Sequence, residues 1–113
     1  MVECMFCRIV SGEIPADIVY RSSSVIGFRD IHPQAPVHVL LVPTRHIPSI
    51  IDVNACDEAL FTEIQKSVCK LSSELHLENG FRVVVNHGPD GGQTVSHLHF
   101  HLLGKRQMSW PPG

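Results

Sequence analysis

His97-Leu98-His99-Phe100-His101-Leu102-Leu103 alternates an imidazole with an apolar side chain, and this alternation decides how the 113-residue chain folds. Successive side chains of a β-strand point to opposite faces. The pattern therefore predicts a strand over His97 to Leu103, with His97, His99 and His101 on one face and Leu98, Phe100 and Leu102 on the other. Burial accounts for the apolar face. Three solvent-facing polar residues would account for the other, but three imidazoles in register also offer chemistry, because a neutral imidazole is a nucleophile and a protonated one an acid near neutral pH. At about 3.3 Å per residue the outer two rings stand about 13 Å apart along the strand. A zinc ion holds ligand nitrogens at about 2.0–2.1 Å, so one ion cannot take all three. One outer histidine can ligate a metal while the remaining pair does chemistry.

The elements upstream follow from the same kind of reading. Gly88-Pro89-Asp90-Gly91-Gly92-Gln93-Thr94 is the most glycine-rich segment and leads into the histidines. Glycines let backbone N–H groups approach an anion, and Gln93 and Thr94 carry side-chain donors, so the segment is either a plain hairpin loop or a phosphate cradle made of dipoles. Leu60, Ile64, Val68, Leu71 and Leu75 recur every three or four residues, which predicts one long helix from about Cys56 to His76, stopped by Asn79-Gly80. Ile18–Tyr20, Val25–Phe28, Val37–Val42 (ending at Pro43) and Phe81–Val85 read as further strands. Met5–Val10 reads as a short helix stopped by Ser11-Gly12. The expected fold class is α+β: a mainly antiparallel five-stranded sheet with one long and one short helix, in a single domain over 1–113.

Composition narrows the function classes. The net charge is −2 with histidine neutral, and there is no basic excess to bind a nucleic-acid backbone. Apolar runs fall well short of the roughly 18 residues of a membrane span. Glu3 and the missing apolar run near the N-terminus argue against a secretory signal, so residence is expected in the cytoplasm, with nuclear access open to a 12.6 kDa chain. In that setting the cysteines are expected to be reduced thiols or metal ligands. Cys4 and Cys7 form a C-x-x-C pair, too little by itself for a zinc site; Cys56 and Cys69 are expected to pack in or near the long helix. His38, on the third strand, either supports the motif imidazoles from behind or faces solvent, and His76 and His87 read as exposed polar residues.

The histidine motif matches the H-φ-H-φ-H-φ-φ pattern of the histidine triad (HIT) superfamily. Gly12-Glu13-Ile14-Pro15, Asp30-Ile31-His32-Pro33-Gln34-Ala35-Pro36, Gly91-Gly92-Gln93-Thr94-Val95-Ser96 and the tail Gly104-Lys105-Arg106-Gln107-Met108-Ser109-Trp110-Pro111-Pro112-Gly113 resemble its histidine triad nucleotide-binding (Hint) branch. A galactose-1-phosphate uridylyltransferase would carry glutamine where His101 stands, and the dinucleoside-polyphosphate-cleaving branch usually lacks this tail. The resemblance implies a purine nucleoside phosphoramidase, which hydrolyses nucleoside 5′-phosphoramidates to a monophosphate and an amine.

In that family His99 would attack the α-phosphorus to give a covalent nucleotidyl-histidine, and His101 would bond the phosphoryl oxygens. Asn86, Gly92, Gln93 and Thr94 would complete the cradle; most close relatives carry serine where Thr94 stands. Asp30 and Ile31 would meet the ribose, and Phe6, Ile9 and Phe28 would form the base slot. Some members bind one structural zinc per chain, at positions that here are Cys4, Cys7, His46 and His97; no organic cofactor is implied. The family works as a homodimer with joined sheets, in which the tail 104–113 reaches the partner's site and Trp110 contributes there. A non-enzymatic nucleotide-binding regulator with incidental turnover is the rival reading, and a zinc-handling protein a weaker one. His99 favours the enzyme, since a pure binder has no need of a nucleophile.

Overall fold

The structure, a computed structural model, describes residues 4–54 and 57–113. Helix α1 (Met5–Val10) precedes strands β1 (Ile18–Arg21), β2 (Val25–Arg29) and β3 (Val37–Pro43). A 3-10 turn at Ile50–Asp52 leads to the long helix α2 (Glu58–Glu74), then β4 (Phe81–Val85), a single helical turn α3 (Gly88–Gly91) and β5 (Phe100–Gly104). The five strands form one antiparallel sheet in the order β1-β2-β3-β5-β4. The expected α+β class holds, with α3 as an added helical turn inside the segment read as a loop.

Central β3 is buried along its whole length because both faces of the sheet are covered there. On one face α2 lays Leu60, Ile64 and Leu71 over Val25, Val39, Leu41, Leu98, Phe100 and Leu102. Fully burying such a side chain stabilises the fold by about 1.5–3 kcal/mol. Ser67 sits in the same buried stripe and satisfies its hydroxyl on the Ile64 carbonyl at 2.6 Å. On the other face α1 packs Cys4 and Phe6 against Ile26, Phe28, Leu40 and Val42.

Several strand ends move by a single residue, and the larger differences from the sequence reading have local reasons. The long helix runs Glu58–Glu74 rather than from about Cys56 to His76, and Cys56 itself lies outside the described residues. The helix is closed by Leu75 and His76 directly after Glu74, before Asn79-Gly80 is reached. His76 takes the left-handed conformation (φ 59°), its N–H donates to the Ser73 carbonyl at 3.3 Å, and Leu77 N–H donates to Ser72 at 2.8 Å. These two bonds close a Schellman motif sealed by buried Leu77. The last strand starts at Phe100 rather than His97 because its partner β3 ends in Pro43; Leu98 N–H goes instead to the Ile47 carbonyl at 2.6 Å. The alternation of faces nevertheless continues upstream of the ladder: Leu98 joins the core under α2, while the rings of His97 and His99 stand edge-on to Phe6 of α1.

Candidate active site

Under α1, the sheet leaves a pocket of about 330 Å³, within the usual range for a small-molecule site. Phe6, Ile9, Phe28, Asp30, Ile31, Thr94, His99 and His101 all line it. Phe6 and Phe28 meet edge to face at 5.5 Å and form its apolar end together with Ile9. Met5, Ile14, Pro15, Ala16 and Val95 also contribute walls, and none of these was singled out for a role from sequence. The motif around Ile14-Pro15 was visible, but nothing in it said which way the side chains face. The lining holds one full cation, Arg29, and that side chain is ion-paired to Asp17 at 3.3 Å.

The motif rings are told apart by the partners of their nitrogens. His99 Nδ1–H donates to the His97 carbonyl at 2.7 Å, which leaves the Nε2 lone pair free. His97 Nε2–H donates to the Pro43 carbonyl at 3.0 Å, which leaves the lone pair on Nδ1, the opposite sense. His101 depends on His38, a residue 5% exposed and so not facing solvent. Gln34 N–H donates to His38 Nδ1 at 3.0 Å, so the His38 ring proton is on Nε2 and is donated to His101 Nδ1 at 2.9 Å. His101 is thereby left with its proton on Nε2. Burial, helped by neighbouring His99 and His38, pulls the His101 pKa down to about 4, so the ring is a neutral donor at pH 7. Burial likewise lowers the pKa of His38 against the opposing pull of Asp30, and that of His97.

Among the described residues, two clusters have the composition of metal sites. Cys4, Cys7, His46 and His97 present ligand atoms that all lie within 4.8 Å of one another. His97 Nδ1 is 3.3 Å from Cys4 Sγ and 3.6 Å from Cys7 Sγ, and His46 Nδ1 is 3.2 Å from Cys7 Sγ. Bonds of about 2.3 Å to sulfur and 2.0–2.1 Å to nitrogen put tetrahedral S···N edges near 3.5 Å, so the set fits such an ion. Burial and the adjacent Cys4 push the Cys7 thiol up. Asp30, His38 and His101 form the second cluster. It is a hydrogen-bond relay: with Gln34 N–H on His38 Nδ1, a metal on Nε2 would require an imidazolate.

The remaining cradle residues are arranged less directly. Gly92 takes the left-handed conformation (φ 77°) that closes α3, and Asn86 lies at the end of β4, outside the pocket lining. Gln93 turns inward: its Nε2 donates to the Pro48 carbonyl at 2.8 Å and the Val95 carbonyl at 3.0 Å, and Oε1 accepts from Gly88 N–H at 3.3 Å. Its side chain braces the loop rather than offering donors to a ligand. Trp110 is 82% exposed and lies outside the pocket lining, with neighbouring Ser109 held by Arg82 at 3.0 Å. Cys69 lies on α2 but is exposed, and His76 and His87 are at the surface as expected. Among the described residues no helix is long and apolar enough to cross a membrane.

The sequence profile of the HIT domain matches residues 11–108. An uncharacterized HIT-like protein of Synechococcus elongatus is 45% identical over 111 residues, covering 98% of this chain and 97% of the relative. The crystal structure of a HIT family hydrolase from Legionella pneumophila superposes with a TM-score of 0.95 at 49% identity, over 98% of this chain and 100% of that one. A histidine triad nucleotide-binding protein from Candida albicans superposes with a TM-score of 0.83 at 30% identity, over 98% and 85% of the two chains.

Proposed function

Since this chain belongs to the HIT family, we propose that it is a hydrolase of nucleoside 5′-phosphoramidates, with His99 as the nucleophile. The observation that carries this reading is the assignment of nitrogens in the pocket. His99 keeps a free Nε2 lone pair because its other nitrogen is tied to the His97 carbonyl, and His101 beside it is a neutral N–H donor. The two rings lie 5.0 Å apart, centre to centre. His99 Nε2 attacks the α-phosphorus, the P–N bond breaks, and the amine leaves with its electron pair and takes a proton from solvent water. His101 Nε2–H stabilises the charge gathering on a phosphoryl oxygen. Water then attacks the nucleotidyl-imidazole and releases the monophosphate, so one hard step becomes two easier ones.

The pocket also favours a particular substrate class. Its aromatic end suits a purine, and the Asp30 carboxylate suits ribose hydroxyls. With Arg29 already paired, no other full cation among the described lining residues neutralises a polyphosphate chain, so a single phosphoryl group is the better fit. The resemblance to a protein described as nucleotide-binding agrees with this. We assign a structural zinc to Cys4, Cys7, His46 and His97, where it would tie α1 to the segment before β5 and supply no step of the reaction. A homodimer is part of the same proposal. Edge strand β4 has a free hydrogen-bonding side, Phe81 and Val83 are exposed on it, and Trp110 stands beside it without a cover.

The test is steady-state hydrolysis of adenosine 5′-phosphoramidate by wild type and His99→Ala. Wild type is expected to release the monophosphate, and the variant to lose turnover by at least about a thousandfold while still binding AMP. A wild type that binds AMP without turnover would instead support the nucleotide-binding regulator.

A further inference from the structure

Helix α1 carries both thiols of the four-residue cluster and one wall of the nucleotide pocket. Cys4 caps the helix, and its sulfur accepts from Cys7 N–H at 3.4 Å. Phe6, between them in sequence, stands edge-on to His99 at 5.1 Å, and Ile9 lines the same pocket. On the opposite side of the cluster, His97 faces both sulfurs with its ring while its backbone carbonyl holds His99 Nδ1–H. A change at the sulfurs therefore reaches the base slot through Phe6 and the nucleophile through His97. Cys4 is buried and Cys7 half-buried, so an oxidant from solvent meets Cys7 first and has Cys4 waiting beside it.

We propose that Cys4 and Cys7 form a reversible redox site, at which a hydroperoxide makes an intramolecular disulfide and thereby weakens nucleotide binding. The Cys7 sulfur attacks a peroxide oxygen, the O–O bond breaks, and a sulfenic acid and one water form. The Cys4 sulfur then displaces the hydroxyl as a second water and the S–S bond closes. The sulfurs lose two electrons and hydrogen peroxide gains them. Where the sulfurs start as metal-bound thiolates, two solvent protons complete the waters and the zinc leaves still divalent. An S–S bond of about 2.05 Å draws both sulfurs off His46 and His97, and the two imidazoles alone cannot keep the ion. The metal arm of this inference rests on the proposed zinc, and its readout on the proposed nucleotide site.

The experiment uses the full chain with Cys56→Ser and Cys69→Ser, loaded with zinc under reducing conditions and then exposed to hydrogen peroxide. Intact mass, released zinc and AMP affinity by calorimetry are followed together. The expected result is a loss of about 2 Da, release of about one zinc per chain and a rise of about tenfold or more in the AMP Kd, all reversed by dithiothreitol with zinc. Mass gain by oxygen addition without the disulfide, or a disulfide that leaves the AMP Kd unchanged, overturns the proposal. A disulfide that weakens AMP binding in a chain that takes up no zinc supports the redox site and overturns the metal assignment alone. A reduced chain that binds no AMP overturns the nucleotide reading and this inference with it.

Discussion

Replacing His38 by phenylalanine keeps most of the ring volume and removes both ring nitrogens. In the native protein Gln34 N–H at 3.0 Å fixes the His38 proton on Nε2, and that proton is donated to His101 Nδ1 at 2.9 Å. In the variant Gln34, at an exposed turn, finds water, but His101 Nδ1 loses its donor in a half-buried position. A buried group left unpaired costs about 1–3 kcal/mol. At about 2.1 cal/mol/K of unfolding entropy per residue, a chain of this length would melt about 4–13 °C lower.

The catalytic effect is larger than the stability effect. Without His38, the His101 proton can move to Nδ1, turning the Nε2 lone pair rather than an N–H toward the phosphoryl oxygen. Loss of one such donor typically lowers kcat by about 10²–10³. Steady-state hydrolysis of adenosine 5′-phosphoramidate measures the rate, and ring ¹⁵N shifts report which His101 nitrogen carries the proton. His38→Gln, whose amide can both accept and donate, is expected to recover part of the rate. A phenylalanine variant within about threefold of wild-type kcat, or a wild-type His101 protonated on Nδ1, would refute the relay.

Two further perturbations separate structural from chemical roles. Gln93→Ala removes the three hydrogen bonds that brace the loop to Pro48, Val95 and Gly88, so the apo protein should melt several degrees lower; an unchanged apo melting temperature with weakened AMP binding would return Gln93 to the substrate. Because burial holds the His101 pKa near 4, well under the usual imidazole value, the unfolded chain binds this proton first as pH falls. The histidine contribution to instability is therefore absent above about pH 6.5, grows as pH drops toward 4 and is constant below it. Chemical denaturation across that window should show a shallower slope in His101→Asn, and equal slopes would contradict the assigned environment.

Much of the fold was legible because period-two and period-3.6 patterns report which face a side chain occupies. Phe81–Val85 and Met5–Val10 were read with their observed bounds, and the stripe from Leu60 to Leu75 located α2. The misreadings concern hydrogen bonding, which those patterns do not encode. His97 and His99 alternate faces like strand residues, yet the ladder stops at Phe100 because Pro43 has no N–H and the chain turns away. His76 takes the left-handed position just past the helix although glycine is the usual residue there, so Asn79-Gly80 is the more visible stop signal while the helix closes before reaching it. Gln93 was legible as a donor, but its partners are carbonyls brought near by folding.

The same limit explains how one residue type takes three different hydrogen-bonding states in a single motif. An imidazole offers two nitrogens, and fixing the proton on one determines what the other can do. For His97 the fixing partner is the Pro43 carbonyl, so Nδ1 is available to the cysteine cluster. For His99 it is the carbonyl of His97, so the lone pair is left on Nε2. For His101 it is a donor, His38, so Nε2 presents a proton instead of a lone pair. Two of the three assignments rest on main-chain oxygens, one set free where β3 ends and the other where β5 has yet to begin. The gap between the alternation and the ladder is thus what gives the motif its chemistry: had β5 begun at His97, that residue's carbonyl would be available to pair with a neighbouring strand and not to orient His99.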